Sequence, residues 1–138
     1  MMDFTGVKIA LIKDDRLLVI QRDNKPGLRY AGMWDLPGGG REDNETPFEC
    51  MAREVNEELG LTLSPQSVIW EKTYHTGRTP SQIAYFMVAH INDIDIRSVI
   101  FGDEGQGWKM IKIDEFMVDK TVVEPLKTRL NDYLASLA

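Results

Sequence analysis

The sequence predicts a mixed α/β (α+β) domain, helices packed on a sheet, and three observations carry that reading. Five segments of strand length, 7–13, 17–22, 68–74, 81–91 and 108–113, are apolar and rich in β-branched or aromatic residues. Two others, opening at Thr46 and at Glu124-Pro125, place apolar residues at helical spacing. Their order, ββ, loop, α, ββ, loop, β, α, lacks the regular alternation of a doubly wound parallel sheet. No repeat, low-complexity tract or linker interrupts the 138 residues, so one domain over 1–138 is expected.

Each element has a local reason. Asp14-Asp15-Arg16 separates the first two runs and predicts a hairpin. Residues 24–40, NKPGLRYAGMWDLPGGG, read as a long loop with a short extended piece near Trp34–Leu36. At Thr46-Pro47-Phe48-Glu49, Thr46 caps a helix, Pro47 suits its first position and Glu49 completes a capping box. Phe48, Ala52, Val55 and Leu59 then define the expected buried face, and Gly60 the stop. HTGRTP reads as the turn between the third and fourth strands. Residues 91–107 read mostly as loop, with a short strand around Arg97–Phe101. In the last helix Leu126, Leu130, Leu134 and Leu137 form an apolar stripe.

The net charge of −6 argues against a nucleic-acid polymer as partner, because such binding rests on clustered Lys and Arg. It leaves room for a small phosphorylated ligand that arrives with a cation. The one cysteine, Cys50, permits no internal disulfide and fits a reducing compartment. MMDFTGVK puts an acid where a signal peptide wants cations, and no apolar run is long enough to span a bilayer, so no membrane partner is expected and a cytoplasmic location is.

The chemistry concentrates on the first helix. Its apolar stripe takes one face, so Glu54, Glu57 and Glu58 project from another, with Arg53 at the edge. Pro37-Gly38-Gly39-Gly40 lies upstream, where the backbone can turn sharply and approach a ligand. Mg²⁺ takes hard oxygen ligands and bridges carboxylates to substrate phosphates, which suits acids facing a glycine loop. Glu-x-x-Glu-Glu alone fits a solvated acidic face better than a metal site.

The wider spacing separates the two readings. Gly39, five residues, Glu45, seven residues, Arg53-Glu54-Val55, one residue, Glu57-Glu58, one residue, Gly60-Leu61 matches every position of the Nudix box, G-x5-E-x7-R-E-U-x-E-E-x-G-U, over residues 39–61. With each residue type at roughly 5–7% of usage, a chance match of that length is far below about one in a million. The chain resembles the Nudix hydrolases, most closely the MutT-like ones. The resemblance implies an α-β-α sandwich around a mixed sheet. It also implies cleavage of the pyrophosphate bond of a nucleoside diphosphate linked to another group, with Mg²⁺ or Mn²⁺. Carried over, Glu57 and Glu58 are metal ligands, and Glu54 is a ligand or the base for the attacking water. Gly38 offers its carbonyl to the metal, while Gly39, Glu45, Arg53 and Gly60 hold the loop–helix–loop in shape.

Outside the box, Phe101-Gly102-Asp103-Glu104-Gly105-Gln106-Gly107-Trp108 is similar to the glycine-flanked loop in which MutT-type members carry a further glutamate. Glu104 is the match, a metal ligand or base, with Asp103 as the fallback. Arg22 stands where family members often bind a substrate phosphate. Lys25 and Arg29 read as solvated charges within reach of phosphates, and Trp34 as core packing rather than a base platform. Tyr74, His75, Arg78 and Phe86 border the region where a base would be read. The short chain and this loop favour a nucleoside triphosphate, unmodified or oxidised, giving a nucleoside monophosphate and pyrophosphate. The downstream proline frequent in ADP-ribose enzymes is replaced by Thr76 and Gly77, with Pro80 slightly late. Lys120-Thr121-Val122 lacks the asparagine of MutT-type base recognition, against 8-oxoguanine specificity. ADP-ribose or another nucleotide derivative is the alternative substrate. A non-catalytic nucleotide-sensing module is the rival from another class, and a homodimer fits the family.

Overall fold

The computed structural model describes residues 3–77 and 82–138. The first two runs form β1 (Phe4–Lys13) and β2 (Arg16–Gln21), an antiparallel hairpin closed at Asp14-Asp15 with Asp14 at φ 54°. Two short strands follow, β3 (Trp34–Asp35) and β4 (Gly38–Gly40), then α1 (Pro47–Leu59). A 3₁₀ turn at Pro65–Ser67 leads into β5 (Val68–His75), β6 (Ile83–His90) and α2 (Asp93–Arg97). The chain closes with β7 (Gly107–Lys112), α3 (Ile113–Val118) and α4 (Glu124–Ser136).

Among the described residues the strands make one mixed sheet. Its spine runs β3-β2-β1-β6-β5, with β4 also paired to β1 and β7 to β2. β1 and β6 run parallel, from Val7↔Tyr85 to Ile12↔His90, and the other pairs are antiparallel. Alternate residues of a strand face opposite sides, so the sheet feeds two cores. Ile9, Leu11, Leu18, Ile20, Met87 and Ala89 pack under α1 through Cys50, Met51, Val55 and Leu59. Ala10, Ile12, Leu17, Val19, Phe86 and Val88 pack against Phe116 of α3 and Leu126, Leu130 and Tyr133 of α4. This is the expected α-β-α sandwich.

Several local expectations need correction. No strand forms around 97–101. Asn92 instead caps α2, its side chain accepting from the Asp95 N–H while Asp95 returns the bond. Gly38–Gly40 is not plain loop, because β1 offers it an antiparallel partner from Gly6↔Gly40 to Lys8↔Gly38. The buried face of α1 is rotated towards Cys50 and Met51, with Phe48 and Ala52 only half-buried. On α4, Tyr133 completes the stripe, while Leu137 lies past the last turn and is 66% exposed. α3 was not expected.

Candidate active site

The site begins with the fit between β4 and α1. Gly38 sits at φ 135°, and a Cβ there would collide with the Val7 carbonyl oxygen. A Cβ on Gly39 would lie 2.6 Å from Cδ of Glu54. The glycines therefore let the acids of α1 come against the β4 backbone. Thr46 and Glu49 form the expected capping box, and Gly60 ends the helix at φ 68°. The helix register is thereby fixed at both ends.

Arg53 buttresses this unit. Its Nε donates to Glu45 Oε2 at 2.7 Å, its Nη1 to Glu54 Oε1 at 2.9 Å, and its Nη2 to the Gly40 carbonyl at 2.8 Å. The Arg53 bond, with the Glu42 N–H that donates to Oε1, holds the Glu45 carboxyl below its usual range. Glu57 is exposed, with Oε2 3.3 Å from Arg53 Nη1. Glu58 points the other way and accepts the Gly38 N–H at 2.8 Å. Burial, more than that bond or Lys8 can offset, pushes its pKa up to about 7.

Glu54, Glu58 and Glu104 line one cleft of about 480 Å³ together with Gly38, Gly39, Gly40, Arg22 and Lys25. The Glu104 loop is fastened at both sides. Gly102 N–H donates to the Glu58 carbonyl at 2.9 Å, and Gln106 donates from its backbone to Gln21 and from its side chain to the Arg22 carbonyl. Lys8 and Asp35 complete the wall. Asp35, only 5% exposed, takes Lys8 Nζ at 3.0 Å and Arg22 Nη1 at 2.9 Å on one oxygen, and the Leu36 N–H on the other. Two cations thus share the cleft with the carboxylates, steadied by one buried acid.

A second, larger cavity of about 560 Å³ shares Lys8, Arg22, Asp35, Gly39 and Gly40 with the cleft. Its far side is built by Arg29, Tyr30, His75 and Thr76, and by Val123, Pro125, Leu126 and Arg129 at the start of α4. The two spaces therefore adjoin along this shared wall.

The donor set in the cleft suits a divalent cation. It is all oxygen, and Glu58 is a desolvated carboxyl with one N–H donor and two further acids nearby. Among the described residues, no three metal-ligating side chains are already drawn together.

A family model of the NUDIX domain matches residues 2–133, across a fold and a carboxylate cleft of the expected kind. The chain belongs to the Nudix hydrolases. An 8-oxo-dGTP diphosphatase from Proteus vulgaris is 38% identical over 52 residues, 38% of this chain and 45% of that protein. An ADP-ribose pyrophosphatase from Methanocaldococcus jannaschii is 40% identical over 57 residues, 41% of this chain and 32% of that one. The chain spans less than half the length of both. The nucleoside triphosphatase NudI of Salmonella arizonae is 31% identical over 116 residues, 77% of this chain and 80% of that one. Among solved structures, the MutT protein from Methanosarcina mazei Go1 superposes with a TM-score of 0.76 at 20% identity, over 98% and 96% of the two chains.

In this Nudix domain the box glutamates divide. Glu54 and Glu58 face the cleft, joined by Glu104 from outside the box, whereas Glu57 lies on Arg53 and Asp103 is not on the cleft wall. Trp34 packs at the margin of the α4-side core, with Lys109 Nζ 4.2 Å from its ring centroid. Phe86 is fully buried in that core. Tyr74 is held by donating to Asp132 Oδ2 at 2.8 Å, and His75 lines the larger cavity. Arg78 and Pro80 fall outside the described residues. Sequence reading missed Lys8, Asp35 and Arg129. Lys8 interrupts the apolar β1 run and was the one available signal.

Proposed function

We propose that this Nudix hydrolase is a divalent-cation-dependent pyrophosphohydrolase of nucleoside triphosphates, unmodified or oxidised, releasing a nucleoside monophosphate and pyrophosphate. The observation that carries the reading is the cleft itself, lined by Glu54, Glu58 and Glu104 together with Lys8 and Arg22. Residues 1–138 act as one such domain, and the buried lone thiol of Cys50 fits the cytoplasm. Among the described residues no helix is long and apolar enough to cross a membrane.

Mg²⁺ or Mn²⁺ would be held by Glu54, Glu58, Glu104 and the Gly38 carbonyl, and by Glu57 once it turns from Arg53. When bound, it would supply Lewis-acid polarisation of the phosphates and a more acidic water. The chain supplies the rest. Water attacks the α or β phosphorus, a new P–O bond forms, and the bond to the oxygen bridging them breaks, that oxygen leaving with pyrophosphate or with the monophosphate respectively. Glu54 or Glu104 accepts the proton that the water gives up. Lys8 and Arg22, held by Asp35, neutralise the phosphate oxygens, and most of the catalysis is positioning of this kind. Glu45 and Arg53 keep the glutamates on their face of α1.

The test is a panel of nucleotides with Mg²⁺: unmodified and oxidised triphosphates, ADP-ribose, dinucleoside polyphosphates, coenzyme A and nucleotide sugars. Metal-dependent release of monophosphate and pyrophosphate from triphosphates is the expected result. Preferred cleavage of ADP-ribose would move the substrate. Tight binding without turnover would make the chain a sensor.

A further inference from the structure

The larger cavity holds a guanidinium that makes no hydrogen bond or ion pair with the rest of the described chain. Arg129 lines it from α4 with Cζ 4.9 Å from the Tyr74 ring centroid. Tyr74 is itself fixed through Asp132, which also takes Lys72 at 3.3 Å. Among the described residues no carboxylate pairs with Arg129 and no oxygen accepts from it. The other arginines and the lysine lining this cavity differ. Lys8 and Arg22 hold Asp35, and Arg29 Nη2 reaches Tyr30 Oη at 3.2 Å. Burial pulls the Arg129 pKa down by more than the neighbouring Tyr74 and Tyr30 hold it up.

The side-chain acceptors on the cavity wall are Asp35, the hydroxyls of Thr5, Tyr30 and Thr76, and the His75 ring. Asp35 is the only carboxylate on its wall among the described residues, and both its oxygens are engaged. Thr5 Oγ1 donates to the Ile83 carbonyl, and no asparagine or glutamine lines the space. Of the cations on this wall, Arg129 is the one whose planar fork has no hydrogen-bonded partner among the described residues.

We infer that Arg129 is a specificity-determining residue: its guanidinium edge reads an acceptor-only nucleobase edge in the larger cavity, O6 and N7 of guanine being the fit. This rests on the nucleotide reading of the site. An arginine fork matches O6 and N7 of guanine bidentately, whereas adenine sets its N6 amino group against the same donors. The mismatch leaves two donors facing each other in a desolvated site, which discriminates by about ten- to a hundredfold.

The experiment measures kcat/KM with Mg²⁺ for dGTP, 7-deaza-dGTP and dATP, in wild type, Arg129→Gln and Arg129→Lys, with thermal melts to confirm folding. Wild type is expected to prefer dGTP over both others by about tenfold or more. Both variants should lose that preference, Gln by removing the fork and Lys by keeping only its charge. An equal drop for all three nucleotides, no change in either variant, or a preference kept by Lys would overturn the inference. If wild type hydrolyses no nucleotide, the hydrolase reading fails. The inference is then decided by equilibrium binding of non-hydrolysable guanosine and adenosine triphosphates to the same three proteins.

Discussion

The two cavities share a wall and differ in how the chain builds them. The carboxylate cleft takes Gly38–Gly40, Glu54 and Glu58 from one short stretch, and staples the Glu104 loop to the end of α1 by backbone hydrogen bonds. The larger cavity takes residues from β1, the loop before β3, the end of β5, β6 and α4, which are adjacent only because the sheet and α4 bring them together. A site built within one helix register is fixed by caps and near-neighbour bonds. One built across the sheet can change residue by residue without disturbing the other. On this account the cleft carries the chemistry and the cavity carries the choice of base.

The largest effect that could break this division comes from the cleft. Glu54→Gln and Glu58→Gln are expected to lower kcat by about 10²–10⁴-fold for every nucleotide without altering their ranking, as read in steady-state kinetics with Mg²⁺. A changed ranking would mean that the cleft also reads the base. Glu57→Gln is expected to lose most turnover while still folding. A near-normal rate would remove Glu57 and leave Glu54, Glu58 and Glu104 as the carboxylates that matter.

The shared wall comes next. Asp35→Asn takes the charge partner from Lys8 and Arg22, so denaturant unfolding should show a loss of about 3 kcal/mol. KM should rise about tenfold more than kcat falls, for all bases alike, because phosphate positioning serves both cavities.

A smaller effect is electrostatic and belongs to the cleft alone. Burial raises the Glu58 pKa from 4.5 to about 7, so the folded state holds this proton more tightly than the unfolded chain does. Its contribution to stability is full below about 4.5 and is lost as pH rises towards about 7 in metal-free protein. Glu58→Gln keeps an acceptor for Gly38 and removes the charge. Metal-free Glu58→Gln should therefore be more stable than wild type at pH 8, by on the order of 1–3 kcal/mol, with no such gain at pH 4. Equal melting temperatures at pH 8 would contradict the burial argument. The smallest effect is at Cys50. Burial pushes its thiol up to about 11, so native protein should resist alkylation at pH 8 and react only when unfolded.

How much was legible follows the same division. The hairpin, the α1 caps and the Glu54/Glu58 face were readable because each is decided within a few residues. The short strand expected at 97–101 failed on local grounds as well, since Asn92 and Asp95 form a capping box that outweighs the β-branched run after it. Gly38–Gly40 becomes a strand only because β1 lies beside it. Lys8 and Asp35 face each other across strands 27 positions apart. Arg129 sits on a helix whose apolar stripe is its conspicuous feature, and its setting is made by Tyr74 from β5. Nothing local in the sequence announces such a pairing.

The most direct test of the central claim is a Mn²⁺ titration of metal-free wild type and Glu58→Gln, following the free ion by its paramagnetic resonance signal. The account predicts a saturable site on wild type that Mg²⁺ displaces, weakened by about tenfold or more in Glu58→Gln. Equal affinity in the two proteins, with both folded, would contradict it.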